Sequence, residues 1–108
     1  MLNSSLSANC GLSEATIAKI ISVFAAYPEL TKVLLYGSRA KGNYRVGSDI
    51  DLTLFGEALT YTQLSNIAVK IEDLLLPYTF DLSLFNHIDN EDLVDHINRV
   101  GIVFYKQS

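Results

Sequence analysis

Gly37-Ser38-Arg39-Ala40-Lys41-Gly42-Asn43-Tyr44-Arg45-Val46-Gly47-Ser48-Asp49-Ile50-Asp51-Leu52 is the stretch that decides the fold. Val33-Leu34-Leu35-Tyr36 precedes it, and Asp49-Ile50-Asp51 opens a second apolar run that ends near Phe55. The first half is a Gly-Ser turn after an apolar strand, where backbone N–H groups can meet a phosphate. In the second half, two carboxylates stand two residues apart on a strand. They share a face, with Cα atoms about 6.5–7 Å apart. That spacing suits one or two divalent cations. A phosphate-binding turn beside a carboxylate pair points to nucleotide chemistry.

The flanking sequence supplies the rest of the sheet. Lys32 to Tyr36 reads as one strand and Ser48 to Phe55 as the next, in which Asp49, Asp51 and Thr53 alternate with Ile50, Leu52 and Leu54. The apolar face must cover helices. The acidic face must be open, or the carboxylates would be buried without partners. Thr79 to Phe85 alternates again, with Phe80, Leu82 and Leu84 opposite Asp81 and Ser83. Upstream, Ser13 caps a helix whose Ile17, Ile20, Ile21 and Phe24 form one stripe, and Pro28 ends it. Thr60 to Gln63 fits a capping box ahead of Leu64, Ile67, Ala68, Ile71, Leu74 and Leu75, and Pro77 closes that helix. Asp89 is the expected N-cap of a last helix carrying Leu93, Val94, Ile97 and Val100. Gly101 stands at its C-cap position, and Ile102 to Tyr105 is a short final strand. The expected fold is α/β (α+β), a small mixed β-sheet with helices packed on one face. Residues 1–12 read as a flexible leader and 13–108 as a single domain.

Composition narrows the function classes. The 108 residues are 49% hydrophobic and 19% charged, which suits one globular domain. A net charge of -4 argues against direct nucleic-acid binding. It is compatible with a metal–nucleotide site, because the metal brings the positive charge. A single cysteine, Cys10, excludes an internal disulfide and indicates a reducing compartment. No signal peptide or membrane-spanning run is legible, so a soluble cytoplasmic protein is expected.

Asp49, Asp51 and Asp81 all fall on the polar phase of apolar strands, where an Asp is unfavourable without a reason. A solvated face explains one of them more easily than all three beside a Gly-Ser turn. Gly37 to Gly42 and Gly42 to Gly47 both have P-loop glycine spacing. However, Asn43 and Ser48 stand where a lysine is required, and no GxGxxG occurs.

Gly37-Ser38, Ala40, Gly42, Arg45 and Ser48-Asp49-Ile50-Asp51-Leu52 together resemble the signature of the minimal nucleotidyltransferases of the DNA polymerase beta superfamily. Asp81 matches the third carboxylate that this family carries on a later strand. The resemblance implies a nucleotidyltransferase (polymerase-beta-like) fold and a catalytic triad of Asp49, Asp51 and Asp81. These would bind two Mg2+ ions, with Gly37, Ser38, Arg45 and Ser48 on the nucleotide. It implies attack of an acceptor oxygen on the α-phosphorus of a nucleoside triphosphate, ATP by default, releasing pyrophosphate. Arg39 and Lys41 flank the site, and solvated loop charges are the favoured reading of both. Larger members carry acceptor-gripping domains that this chain has no room for. Short members usually act with a separate all-helical partner of the HEPN type. Such pairs resemble toxin–antitoxin modules, in some of which AMP is transferred to a tyrosine of the toxin. A contact-only antitoxin and a small-molecule transferase are the alternatives, and a homodimer is compatible with the chain.

Six tyrosines accompany an absence of tryptophan. Exposed ones suit a partner surface, with Tyr44 the one that falls in the site loop. His87 and His96 show no metal spacing. His96 follows Asp92 by four residues and is expected to pair with it on a helix surface, outside the site.

Overall fold

The computed structural model describes residues 10–45 and 47–107. Ser13 accepts a hydrogen bond from the Thr16 amide and starts helix α1, Glu14–Ala25. Its buried side chains are Ile17, Ile20, Val23 and Phe24, so Val23 joins the expected stripe while Ile21 is only half-buried. Strand β1 is Lys32–Tyr36 and strand β2 is Ile50–Phe55, with a four-residue helix α2, Ser38–Lys41, between them. The capping box forms at Thr60 and Gln63 and opens α3, Tyr61–Glu72. Strand β3, Phe80–Leu84, runs into a 3-10 turn, Phe85–His87. Helix α4, Glu91–Val100, then leads into strand β4, Ile102–Lys106.

The sheet has four strands in the order β3-β2-β1-β4. β1 is antiparallel to β2 and to β4, whereas β2 and β3 are parallel. Parallel neighbours need a crossover, which α3 provides. Registers pair Leu35 with Leu52 and Leu52 with Leu82. That row, with Val33, Ile50, Leu54 and Leu84, faces α1 and α3 and makes the core with Leu12, Phe24, Ile67, Ile71 and Phe104. The expected small mixed sheet is therefore present, but not all the helices pack on one face of it. Helix α4 lies over the opposite face, where Gly101 packs on Leu34 and His96 meets Tyr36. Leu34 is the apolar residue on that face of β1, and α4 covers it.

Three local expectations are corrected. The leader was expected to run to residue 12. Residues 1–9 lie outside the described residues, but Cys10 is fully buried and Leu12 is 2% exposed, so both belong to the core. Strand β2 starts at Ile50 and not at Ser48, because the Ser48 amide and hydroxyl bond to Arg45 in the preceding loop and its carbonyl accepts from Arg39 of α2. Asn90, not Asp89, caps α4, accepting from the amides of Asp92 and Leu93. Gly101 does stand at the C-cap, in extended backbone with φ -62. Closeness, rather than handedness, requires glycine there, since a Cβ would lie 2.5 Å from the Ile97 carbonyl oxygen.

Leu52 is fully buried at the centre of the sheet, whereas Val103 on β4 is 43% exposed. Leu52→Ala is expected to cost about 2–5 kcal/mol of unfolding free energy. Val103→Ala should stay within about 0.5 kcal/mol of the parent. Urea denaturation followed by circular dichroism checks both values.

Candidate active site

Strand register assembles the site. Tyr36 pairs with Asp51 across β1 and β2, and Asp51 pairs with Asp81 across β2 and β3. Directly paired residues share a face, so these three form one row on the sheet surface opposite the core. The next row on that face contains Thr53 and Ser83, and Ser83 donates to Thr53 across 3.0 Å. Asp49 sits just before β2 and is exposed, Asp51 is partly buried, and Asp81 is exposed.

Gly37 brings the turn against this row. Its φ of 76 is one that side-chain-bearing residues rarely adopt. A Cβ there would collide with the Asp51 carboxylate. Glycine is therefore required both by conformation and by the approach of the backbone to Asp51. Ser38 follows as the first residue of α2, and the opening amides of such a turn have no intrahelical acceptors. The turn thus comes directly against the Asp51 carboxylate.

Electrostatics mark Asp51 as the focal group. Burial pushes its carboxyl above the ordinary range, and the charges of Asp81 and then Asp49 push it further, while His96 pulls it back. Tyr36, only 7% exposed, is also raised, first by burial and then by Asp81, with a Ser83 hydrogen bond opposing. Three like charges crowd one patch, which is the environment a divalent cation relieves. Among the described residues, however, no three His, Cys, Asp or Glu groups are gathered as a ready cage. Mg2+ fits such a patch without a cage, because it takes one or two carboxylates and completes its shell with water and substrate phosphates. Asp49 and Asp51 are the groups that suit it.

Arg39 departs from expectation. Neither a solvated charge nor a phosphate contact describes it: the side chain is 3% exposed. Its Nε and Nη2 donate to the Ser48 carbonyl at 3.2 and 3.0 Å, and its Nη1 donates to the Cys10 carbonyl at 2.9 Å. Ser48 is occupied as a loop brace, its Oγ accepting from the Arg45 amide at 2.8 Å and its amide donating to the Arg45 carbonyl. The side chains of Arg45 and Lys41 are exposed.

Two neighbours of the site were missed by the sequence reading. The His96 ring packs edge-on against Tyr36 at 6.2 Å rather than pairing with Asp92. Among the described residues the ion pair on α4 is Arg99 with Asp95, at 2.9 Å. Helical spacing carried the signal, because His96 lies with Leu93, Ile97 and Val100 on the stripe that faces the sheet. Tyr36 was legible from its place beside Gly37, in phase with the acidic face.

The polymerase beta nucleotidyltransferase family matches residues 18–108. The chain belongs to that family. No curated protein matches the chain. Among solved structures, it is similar to a toxin–antitoxin complex with AMP-PNP, at TM-score 0.69 and 22% identity over 85% of this chain and 74% of that one. It is also similar to the MntA-HepT toxin–antitoxin, at TM-score 0.64 and 20% identity over 88% and 74% of the two chains. A third is a tri-AMPylated Shewanella oneidensis HEPN toxin in complex with MNT antitoxin, at TM-score 0.65 and 20% identity over 87% and 72%. At these identities the likeness speaks for the fold.

The raised Asp51 carboxyl gives a test of this site in the metal-free protein. A raised acid binds more protons folded than unfolded, so its stability contribution falls as pH rises from the ordinary value of 3.8 through the raised one. Asp51→Asn removes that penalty. In chelator at pH 7 its melting temperature should equal or exceed the parent's, and the difference should shrink on acidification. Added Mg2+ with nucleotide should stabilise the parent and not the variant. Thermal melts across pH, with and without Mg2+ and nucleotide, read both effects.

Proposed function

We propose that this nucleotidyltransferase moves AMP from ATP to a hydroxyl of a partner protein in a Mg2+-dependent reaction. It would act as the antitoxin of a pair with a HEPN-type helical toxin. The row Tyr36–Asp51–Asp81 beside the Gly37–Ser38 turn carries this reading. The relatives in fold support the partner class, one being bound to AMP-PNP and another carrying an AMPylated toxin. A reducing, cytoplasmic setting fits the single buried thiol.

In this reading Gly37 and Ser38 hold the terminal phosphates, and the exposed Arg45 is free to turn toward them. Asp49 and Asp51 hold Mg2+, which when bound stabilises the attacking and leaving oxygens. The acceptor hydroxyl oxygen forms a bond to the α-phosphorus. The bond from that phosphorus to the bridging oxygen breaks in line, and pyrophosphate leaves. Asp81 is exposed at the rim, where it can take the hydroxyl proton.

The alternative is a protein that inhibits its partner by contact alone. Intact-mass measurement of the helical partner after incubation with this chain, ATP and Mg2+ separates the two. AMP-sized additions with the parent, absent with Asp49→Asn/Asp51→Asn, are the expected result. A stable complex with no addition would establish the contact reading.

A further inference from the structure

We infer that Arg39 is a positioning residue of the site, fixing Asp49 through the Ser48 carbonyl and tying the site loop to the segment Cys10–Leu12. The inference rests on the reading of Asp49 as a metal-holding group. The guanidinium is buried, yet among the described residues no carboxylate lies within ion-pair distance of it. Its partners are two carbonyl groups and two rings. Nε and Nη2 converge on one oxygen, that of Ser48, while Nη1 reaches the Cys10 oxygen. The Tyr44 and Tyr78 rings each lie 5.2 Å from the guanidinium carbon.

Each partner belongs to a different part of the chain. The Ser48 carbonyl is in the peptide that enters Asp49, so clamping it sets the plane from which Asp49 leaves the loop. On the other side of Asp49, the Ile50 amide donates to the Thr79 carbonyl, next to Tyr78. Asp49 therefore hangs between two anchored peptides, and Arg39 is in contact with both anchor regions. Tyr44 completes the tie. Its ring occupies the space where a Cβ at Gly11 would stand, and Gly11 has φ +78. Removing Cys10–Leu12 from its seat would take away one carbonyl acceptor and the surface under Tyr44. A lysine cannot reproduce this, because a point charge lacks the planar fork that spans two carbonyls and stacks on two rings.

Arg39→Lys in the full chain tests the inference, with Val23→Ala as a control that loosens the core away from the loop. Two quantities are read: amide hydrogen exchange over residues 42–50, and Mn2+ affinity in the presence of AMP-PNP. Arg39→Lys should speed exchange in that loop while α3 stays protected, and should weaken Mn2+ binding by about 10–100-fold. Val23→Ala should lower the melting temperature and leave Mn2+ affinity at the parent value. Parent-like exchange and affinity in Arg39→Lys would overturn the inference. So would a loss of affinity no greater than that of Val23→Ala at matched melting temperature. If the parent binds no Mn2+, the metal reading of Asp49 falls, and the exchange data alone decide whether Arg39 holds the loop. Should Arg39→Lys not fold, Tyr44→Leu removes one ring from the guanidinium and is judged by the same two measurements.

Discussion

Asp51 and Asp81 face each other across the parallel β2–β3 pair, and their mutual repulsion is the constraint around which the molecule is arranged. Like charges directly opposite on a sheet are destabilising, and here partial burial of Asp51 adds to the cost. The opposite face of the same strands offsets it. Ile50, Leu52 and Leu54 are sealed under α1 and α3, and each such side chain contributes about 1.5–3 kcal/mol on burial. Slipping the register to separate the carboxylates would carry that whole apolar set out of the core. The core thus holds the aspartates together against their own field.

The parallel pairing also dictates connectivity. β2 and β3 can be neighbours in the same direction only if a helix carries the chain back, and α3, started by its Thr60–Gln63 box, is that helix. β1 and β2 are antiparallel, so their connection stays at one end of the sheet, where the glycine turn and the loop to Asp49 lie. The two kinds of pairing therefore bring a loop and a strand interior to one place, the loop bringing backbone amides and Asp49, the strands bringing Asp51 and Asp81.

Much of this was legible in the chain itself. Alternation in Asp49–Leu54 and Phe80–Leu84 located both acidic strands and their faces, because period two is a strong signal when one side is buried. The Gly37–Ser38 turn was legible because only glycine tolerates what that position requires. The role of Arg39 was not. A charged residue in a glycine-rich loop has the composition of a solvated one, and only tertiary structure supplies the carbonyls and rings that make its burial tolerable. Likewise, Cys10 and Leu12 lie in a polar-looking stretch, and their burial depends on contacts 29 residues away in sequence, such as Arg39 to the Cys10 carbonyl. The placement of α4 on the acidic face was hidden as well, because an amphipathic pattern shows that a helix has a covered side, not which side of a sheet covers it.

Cys10 is the sole cysteine of the chain, fully buried, with its thiol held up in pKa chiefly by that burial. Thiolate is the reactive form, so in the closed structure this sulfur is doubly silent, shielded from reagents and kept protonated. Its backbone carbonyl is the one that Arg39 grips. Chemical silence and loop closure are therefore the same physical state. A small alkylating agent can therefore reach this sulfur only when the segment Cys10–Leu12 leaves its seat, so its reaction reports how firmly Arg39 holds that segment in place.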